Sequence, residues 1–298
     1  MSHTAGAFDD ALVLDWSAAA SPTLGDDSCW VAAGALDTRG AITTTNLSTR
    51  HETMALVDER LQRSLARGRR VLVAIDVSFG LPVGAASTLQ LAGAPGWRAM
   101  WTTLAERIVD DERNANNRFA VADQLNRDAG VRCFWGRPVA PAYDRYGCLP
   151  VRDVAVAGLR PNPLPRLRRC ELLAGPGVIS NWMLVGRGSV GGQMLTCLPH
   201  LERLRQGRPG RVGVWPFDGL GDSGHDVVLA ETWHGLFDWR ADRSTCRDEA
   251  QVRTTLRTLR SLGPTGVAAL LAPESLLDLG ASARVEITDE EGWTLGIG

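Results

Sequence analysis

The sequence predicts an α/β fold: a mixed sheet flanked by helices and carrying one large insertion. Three observations lead there. The first 76 residues read strand, strand, strand, helix, strand. Val71-Leu-Val-Ala-Ile75 is an unbroken apolar run, as expected of a strand covered on both faces. Two further apolar strands, 211–216 and 226–231, lie between helical stretches in the last third of the chain.

Residues 11–15 form the first strand, which stops at Asp15-Trp16. After a loop rich in Ser, Gly and Asp, residues 29–36 form the second, 37–40 a hairpin turn and 41–47 the third. Over 51–66, Met54, Val57, Leu61 and Leu65 recur on one helical face, and Gly68 ends that helix. The strand 71–75 then stops at Asp76, where Gly80 and Pro82 impose a turn. A three-stranded meander, a helix and a parallel strand open a ribonuclease-H-like fold. In that fold the first and fourth strands are neighbours, so Asp15 would stand beside Asp76.

Residues 83–188 exceed what such a fold needs, and read as an insertion within a single domain spanning 1–298. Helices are predicted over 97–111 and 116–126, and short strands at 168–171 and 180–185. The Pro- and Gly-rich stretch 134–165 is an ordered loop, and the whole insertion is expected to fold as a lid over the acid edge. Gly186 to Gln193 is a Gly-rich turn that opens a helix running to Leu204. Helix N-termini attract anions, while close backbone packing explains the same glycines. A last helix over 246–262 places Val252, Leu256 and Leu259 on one face, with Asp248 and Glu249 in its first turn, where acids suit the helix dipole. A short strand near Glu290-Glu291-Gly-Trp293 closes the chain.

Composition narrows the chemistry. The chain has 298 residues, 44% of them hydrophobic, and a net charge of -2. That supports a sizeable core and gives no basic tract for constitutive nucleic-acid or membrane binding. No apolar run reaches the roughly 18 residues of a membrane span. The N-terminus lacks a signal-peptide core, and the six cysteines form no CxxC pair, so a cytoplasmic protein without a zinc site is expected. There is no lysine. Schiff-base, Walker A and kinase-type lysine chemistry are therefore excluded.

Asp15, Asp76 and Glu231 each end a strand, and would converge on one edge of the sheet, with Asp248 completing the set. Clustered carboxylates repel one another, which raises their pKa values and favours a hard divalent cation, Mg²⁺ or Mn²⁺. His234, close after Glu231, is a candidate general acid or base, though a packed histidine is as natural. Ser17, Arg118, Arg169, Ser189 and Gln193 are candidate substrate contacts, the arginines as bidentate clamps on an anion. Trp16, Trp135 and Trp182 could stack a base, and more often such residues are core.

Several segments carry a family resemblance: Leu14-Asp-Trp-Ser-Ala-Ala19, Ile75-Asp-Val-Ser-Phe-Gly-Leu-Pro82, Gly188-Ser-Val-Gly-Gly-Gln193, Val214-Trp-Pro-Phe217, Ala230-Glu-Thr-Trp-His234 and Glu291-Gly-Trp293. Together they resemble the predicted RNase-H-like nucleases, a group filed under a domain of unknown function. The branch with Asn117-Arg-Phe119 and Phe134-Trp-Gly136 is often labelled by association with molybdopterin or cobalamin biosynthesis. Trp233-His234 stands where that family usually has Tyr-Pro or His-Pro. The resemblance implies a metal-dependent phosphoester hydrolase, a nuclease among the options, whose partner is nucleic acid or a phosphorylated small molecule. The alternatives are an enzyme on the same scaffold acting on a phosphorylated or nucleotide-like metabolite, and a non-catalytic binding protein.

Overall fold

The computed structural model describes residues 8–37, 40–186, 189–244 and 246–298. The predicted 37–40 turn and the Gly186–Gln193 turn therefore lie partly outside the described residues, at 38–39 and 187–188. In chain order the elements are β1 (Asp10–Asp15), β2 (Cys29–Ala35), β3 (Thr43–Leu47), α1 (Arg50–Leu65), β4 (Val71–Ile75), α2 (Ala85–Thr88), α3 (Gly96–Arg107), α4 (Arg118–Ala129), β5 (Val131–Arg132), β6 (Arg160–Pro161), α5 (Arg169–Leu173), α6 (Gly191–Gln206), β7 (Val212–Trp215), β8 (Val227–Thr232), α7 (Arg247–Leu270), α8 (Glu274–Leu277), α9 (Ala281–Glu286) and β9 (Thr294–Leu295).

Seven strands make one mixed sheet in the order β3-β2-β1-β4-β8-β7, with β9 added to β8. The meander pairs antiparallel, and β1, β4, β8, β7 and β9 run parallel. Strand alternation builds a core on each face. Leu12, Leu14, Val73, Ile75, Val227 and Leu229 face one layer. Ala11, Val13, Leu72, Ala74, Val228 and Ala230 face the other. Each larger side chain so buried contributes about 1.5–3 kcal/mol.

The second face is covered by α7, whose Val252, Leu256 and Leu259 meet the small residues Ala11, Ala32 and Ala74. Gly263, with φ 65°, kinks α7, and the chain then brings Val267 into the same core. The first face is covered by α1, α3, α4 and α6. A capping box between Thr49 and Glu52 starts α1, a feature worth about 1 kcal/mol. No described helix is long and apolar enough to cross a membrane.

The insertion differs from the expected lid. Trp97, Trp101, Leu104, Phe119, Leu125, Phe134 and Trp182 belong to the same continuous core as β1 and β4. Residues 83–188 are thus mainly a structural layer on the sheet, and only their last stretch reaches the acid edge. Two predicted strands also differ. Residues 169–173 are helical, and within 180–185 the strand-type pairing is limited to an isolated bridge from Met183 to Trp135. Apolar residues in short runs do not distinguish a strand from a buried irregular segment. Gly80 has a clear steric cause: a Cβ there would lie 2.2 Å from the Glu290 carbonyl oxygen, so the loop after β4 can pass the 287–291 turn only without a side chain.

Candidate functional site

Parallel pairing of β1 with β4 puts Leu14 opposite Ile75, and the Asp76 N–H donates to the Leu14 carbonyl at 3.0 Å. Asp15 and Asp76 therefore emerge side by side at the carboxyl ends of neighbouring strands, where α/β sheets place their ligands. Both are half-buried and line a cleft of about 940 Å³. Asp248, in the first turn of α7, lines the same cleft and is buried. It accepts from the Asp27 N–H at 2.7 Å and from Arg247 Nε at 2.7 Å.

The acids feel one another. Burial, then the Asp248 and Asp76 charges, push the Asp15 carboxyl well above the usual range, and Arg247 offsets this only in part. Burial pushes Asp76 up to about 7; the His234 N–H, 3.3 Å from its Oδ2, pulls the other way, and the Glu231 and Asp248 charges add to the rise. These three carboxylates do not close into a tight set. Among the described residues, the one trio of potential ligands with donor atoms all within 4.8 Å is His51, Asp110 and His200. That trio is already an ion-pair network. Asp110 Oδ2 accepts from Arg50 Nε at 2.7 Å and from His200 Nε2 at 2.9 Å, and a second Arg50 nitrogen holds Oδ1. A cation there would have to displace a buried arginine.

Glu231 is corrected from metal ligand to structural anchor. It ends β8 beside Ile75 as expected, but its carboxylate is fully engaged. Oε1 accepts from Arg168 Nη2 at 2.6 Å and the Thr294 hydroxyl at 2.7 Å; Oε2 accepts from Arg168 Nη1 and the Phe79 N–H, both at 2.8 Å. All four lone-pair positions are filled. Arg168 is equally saturated: its remaining N–H groups donate to Glu171, Ser78 and the Glu291 carbonyl. This strut ties β8 to the loop after β4, to α5 and to the 287–291 turn.

His234 is likewise corrected. It is fully buried behind Asp76, its Nδ1 lies 2.9 Å from the Thr255 hydroxyl, and it does not line the cleft. Burial pushes its imidazole down to about 4, so it is neutral at physiological pH. It positions Asp76 through its backbone N–H and does not face substrate.

Of the predicted substrate contacts, Ser17, Ser189 and Gln193 line the cleft. The Ser17 hydroxyl donates to the Asp27 carbonyl at 2.6 Å and caps the Ala19 N–H, so it shapes the wall. Gln193 donates to the Trp16 carbonyl. Arg118 and Arg169 are not part of the cleft. Arg118 is buried over the Phe119 ring with Nη1 on Asn116, and burial, then Arg50, lower its pKa to about 10. Arg169 pairs with Glu286 and Glu291. Trp16 and Trp182 are core, their indole N–H groups bonded to Thr196 and to the Pro165 carbonyl. Gly191 and Gly192 are explained by close packing: a Cβ would lie 2.2 Å from the Asn181 oxygen and 2.6 Å from the Leu184 oxygen, respectively.

Sequence reasoning missed Asp27, Trp233, Trp239, Arg240 and Arg247, all of which line the cleft. Arg247 adjoins Asp248 in sequence, which was a usable signal. The others come from loops whose path only the tertiary structure sets.

No family model matches the chain, and no curated protein or solved structure matches it either.

Proposed function

We propose that this protein is a divalent-metal-dependent phosphoester hydrolase on a ribonuclease-H-like scaffold. Mg²⁺ or Mn²⁺ would be held by Asp15 and Asp76, with Asp248 on its flank. The observation that carries the reading is the pair of cleft-facing carboxylates on adjacent parallel strand ends, with no ion-pair partner for Asp15 among the described residues and only neutral His234 beside Asp76. The strand order β3-β2-β1-β4-β8 supports the scaffold. The open spacing of the acids suits Mg²⁺, which keeps several waters and takes only one or two carboxylates. A bound cation would supply Lewis-acid charge and a water of lowered pKa. Asp15 and Asp76 would hold the cation, the His234 N–H fixes Asp76, and Arg240, exposed at the cleft, suits a phosphate oxygen.

Between nucleic acid and a small phosphorylated molecule, the charges favour the small molecule. The arginines lining the cleft are Arg240 and Arg247, and Arg247 is already paired with Asp27 and Asp248. A polymer needs a basic track. The six free cysteines suit a reducing, cytoplasmic setting.

Thermal melting with and without Mn²⁺ tests the site. The native chain should gain stability with Mn²⁺ by mass action, and Asp76→Asn much less. Equal shifts for both would remove Asp76 from the metal shell and favour a non-catalytic binding protein.

A further inference from the structure

A second cavity, of about 180 Å³, opens beside the acids and shares Asp76, Val190 and Trp233 with the main cleft. Its remaining wall combines apolar side chains (Ala174, Val178, Ile179 and Ile297) and Thr232, whose hydroxyl has no hydrogen-bond partner among the described residues, with the Arg168 network. The polar groups of that network are occupied by one another. Arg168 has all five side-chain N–H groups donated, Glu231 has four donors, and the Ser78 hydroxyl donates to Asn181 while accepting from Arg168. A polar substituent entering here would lose water and find few free partners, whereas an apolar one would lose nothing.

We infer that this side cavity receives a single-ring or similarly compact apolar group of the substrate, while its phosphoester sits at Asp15 and Asp76. The assignment rests on the metal-dependent hydrolase reading for the phosphate half, and on the cavity alone for the organic half. Size sets the limit. A cavity of about 150 Å³ accommodates benzene, so this one fits one six-membered ring and not a nucleoside. A nucleobase is disfavoured on a second count, since the Arg168 network is already engaged and leaves its hydrogen-bonding edge little beyond the unpartnered Thr232 hydroxyl and Asp76. Trp233 lies on the boundary between cavity and cleft, where an indole can pack against a ring whose ester oxygen points to Asp76.

Calorimetric titration with phenylphosphonate and methylphosphonate, in Mg²⁺ and again in EDTA, tests this without relying on turnover. In Mg²⁺ the phenyl compound should bind at least about tenfold more tightly, as expected for burying one ring. Ile179→Trp and Val178→Trp, two partly exposed positions that can accept a larger side chain without disturbing the core, should each fill the cavity and bring the two affinities together. Equal affinities in the native protein, an unchanged ratio in both variants, or tighter binding of a single-stranded oligonucleotide would each overturn the proposal. If the phenyl preference persists unchanged in EDTA and Mg²⁺ alone gives no binding heat, the cavity stands and the metal reading fails. If Mg²⁺ binds and the phenyl preference is missing, the metal reading stands and the cavity assignment fails.

Discussion

Two isosteric changes on neighbouring strands should move stability in opposite directions. In Glu231→Gln one carboxylate oxygen becomes an amide that faces two donors, and Arg168 loses the partner that holds two of its nitrogens. Arg168 is almost inaccessible to solvent, at 1% side-chain exposure, so the lost counter-charge is not replaced by water. Breaking a buried pair by removing one member costs about 3–5 kcal/mol, and the remaining Glu171 contact sets the expectation at the lower end. Asp76→Asn has the opposite sign. A carboxyl raised from 3.8 to about 7 binds protons more tightly in the native than in the unfolded chain. The native state is therefore progressively disfavoured as pH rises from about 4 to about 7. Above pH 7 the ionised group costs up to roughly 4 kcal/mol, which asparagine removes. The assay is urea unfolding at pH 8 in EDTA, repeated with Mn²⁺. Glu231→Gln should lower the midpoint and keep its Mn²⁺ response; Asp76→Asn should raise the midpoint and lose most of it. If Glu231→Gln is neutral in EDTA yet abolishes the Mn²⁺ response, Glu231 is a ligand and the structural argument is wrong.

Other outcomes follow from the same geometry. Burial opposes ionisation of Asp110, but the Arg50 and His200 hydrogen bonds prevail and hold its carboxyl down to about 2. Its stabilising contribution, about 2 kcal/mol, should be complete above pH 4 and fade towards pH 2, and comparing Asp110→Asn with the native chain by acid unfolding reads it directly. The His234 ring, pushed down to about 4, should show no NMR titration between pH 8 and 5; a midpoint near 6.5 would mean that it reaches solvent. Leu256→Ala opens a hole between α7 and the sheet. It should cost about 2–5 kcal/mol in chemical denaturation while leaving Mn²⁺ affinity as it was. Limited proteolysis within 83–188 should yield no independently folded fragment, because that segment shares its core with β1 and β4.

The sequence by itself determined the sheet. The apolar runs of β1, β4 and β8 alternate between two faces, and a strand's two-residue period is a local property that needs no knowledge of the rest of the chain. The same locality gave α1 and α7 and put Asp15 and Asp76 at strand ends, whereas their adjacency was an expectation from the element order of a ribonuclease-H-like fold, and the β1–β4 pairing meets it. What the tertiary structure decided was the partner of each charge. Glu231 looked equivalent to Asp15 and Asp76, each an acid at the end of an apolar strand, and only the arrival of Arg168 from 63 residues away converts it into a strut. Arg168 and Arg169 are indistinguishable in sequence. One turns inward at the start of α5 and the other lies at the surface with Glu286. For His234 the sequence left a packed ring and an acid–base role both open, and nothing local foretold that residues 83–188 would build a wall of the core. A carboxylate's role depends on which donors surround it, and donors come from wherever the chain returns. Hydrophobic period is written residue by residue, whereas charge pairing is written only in three dimensions.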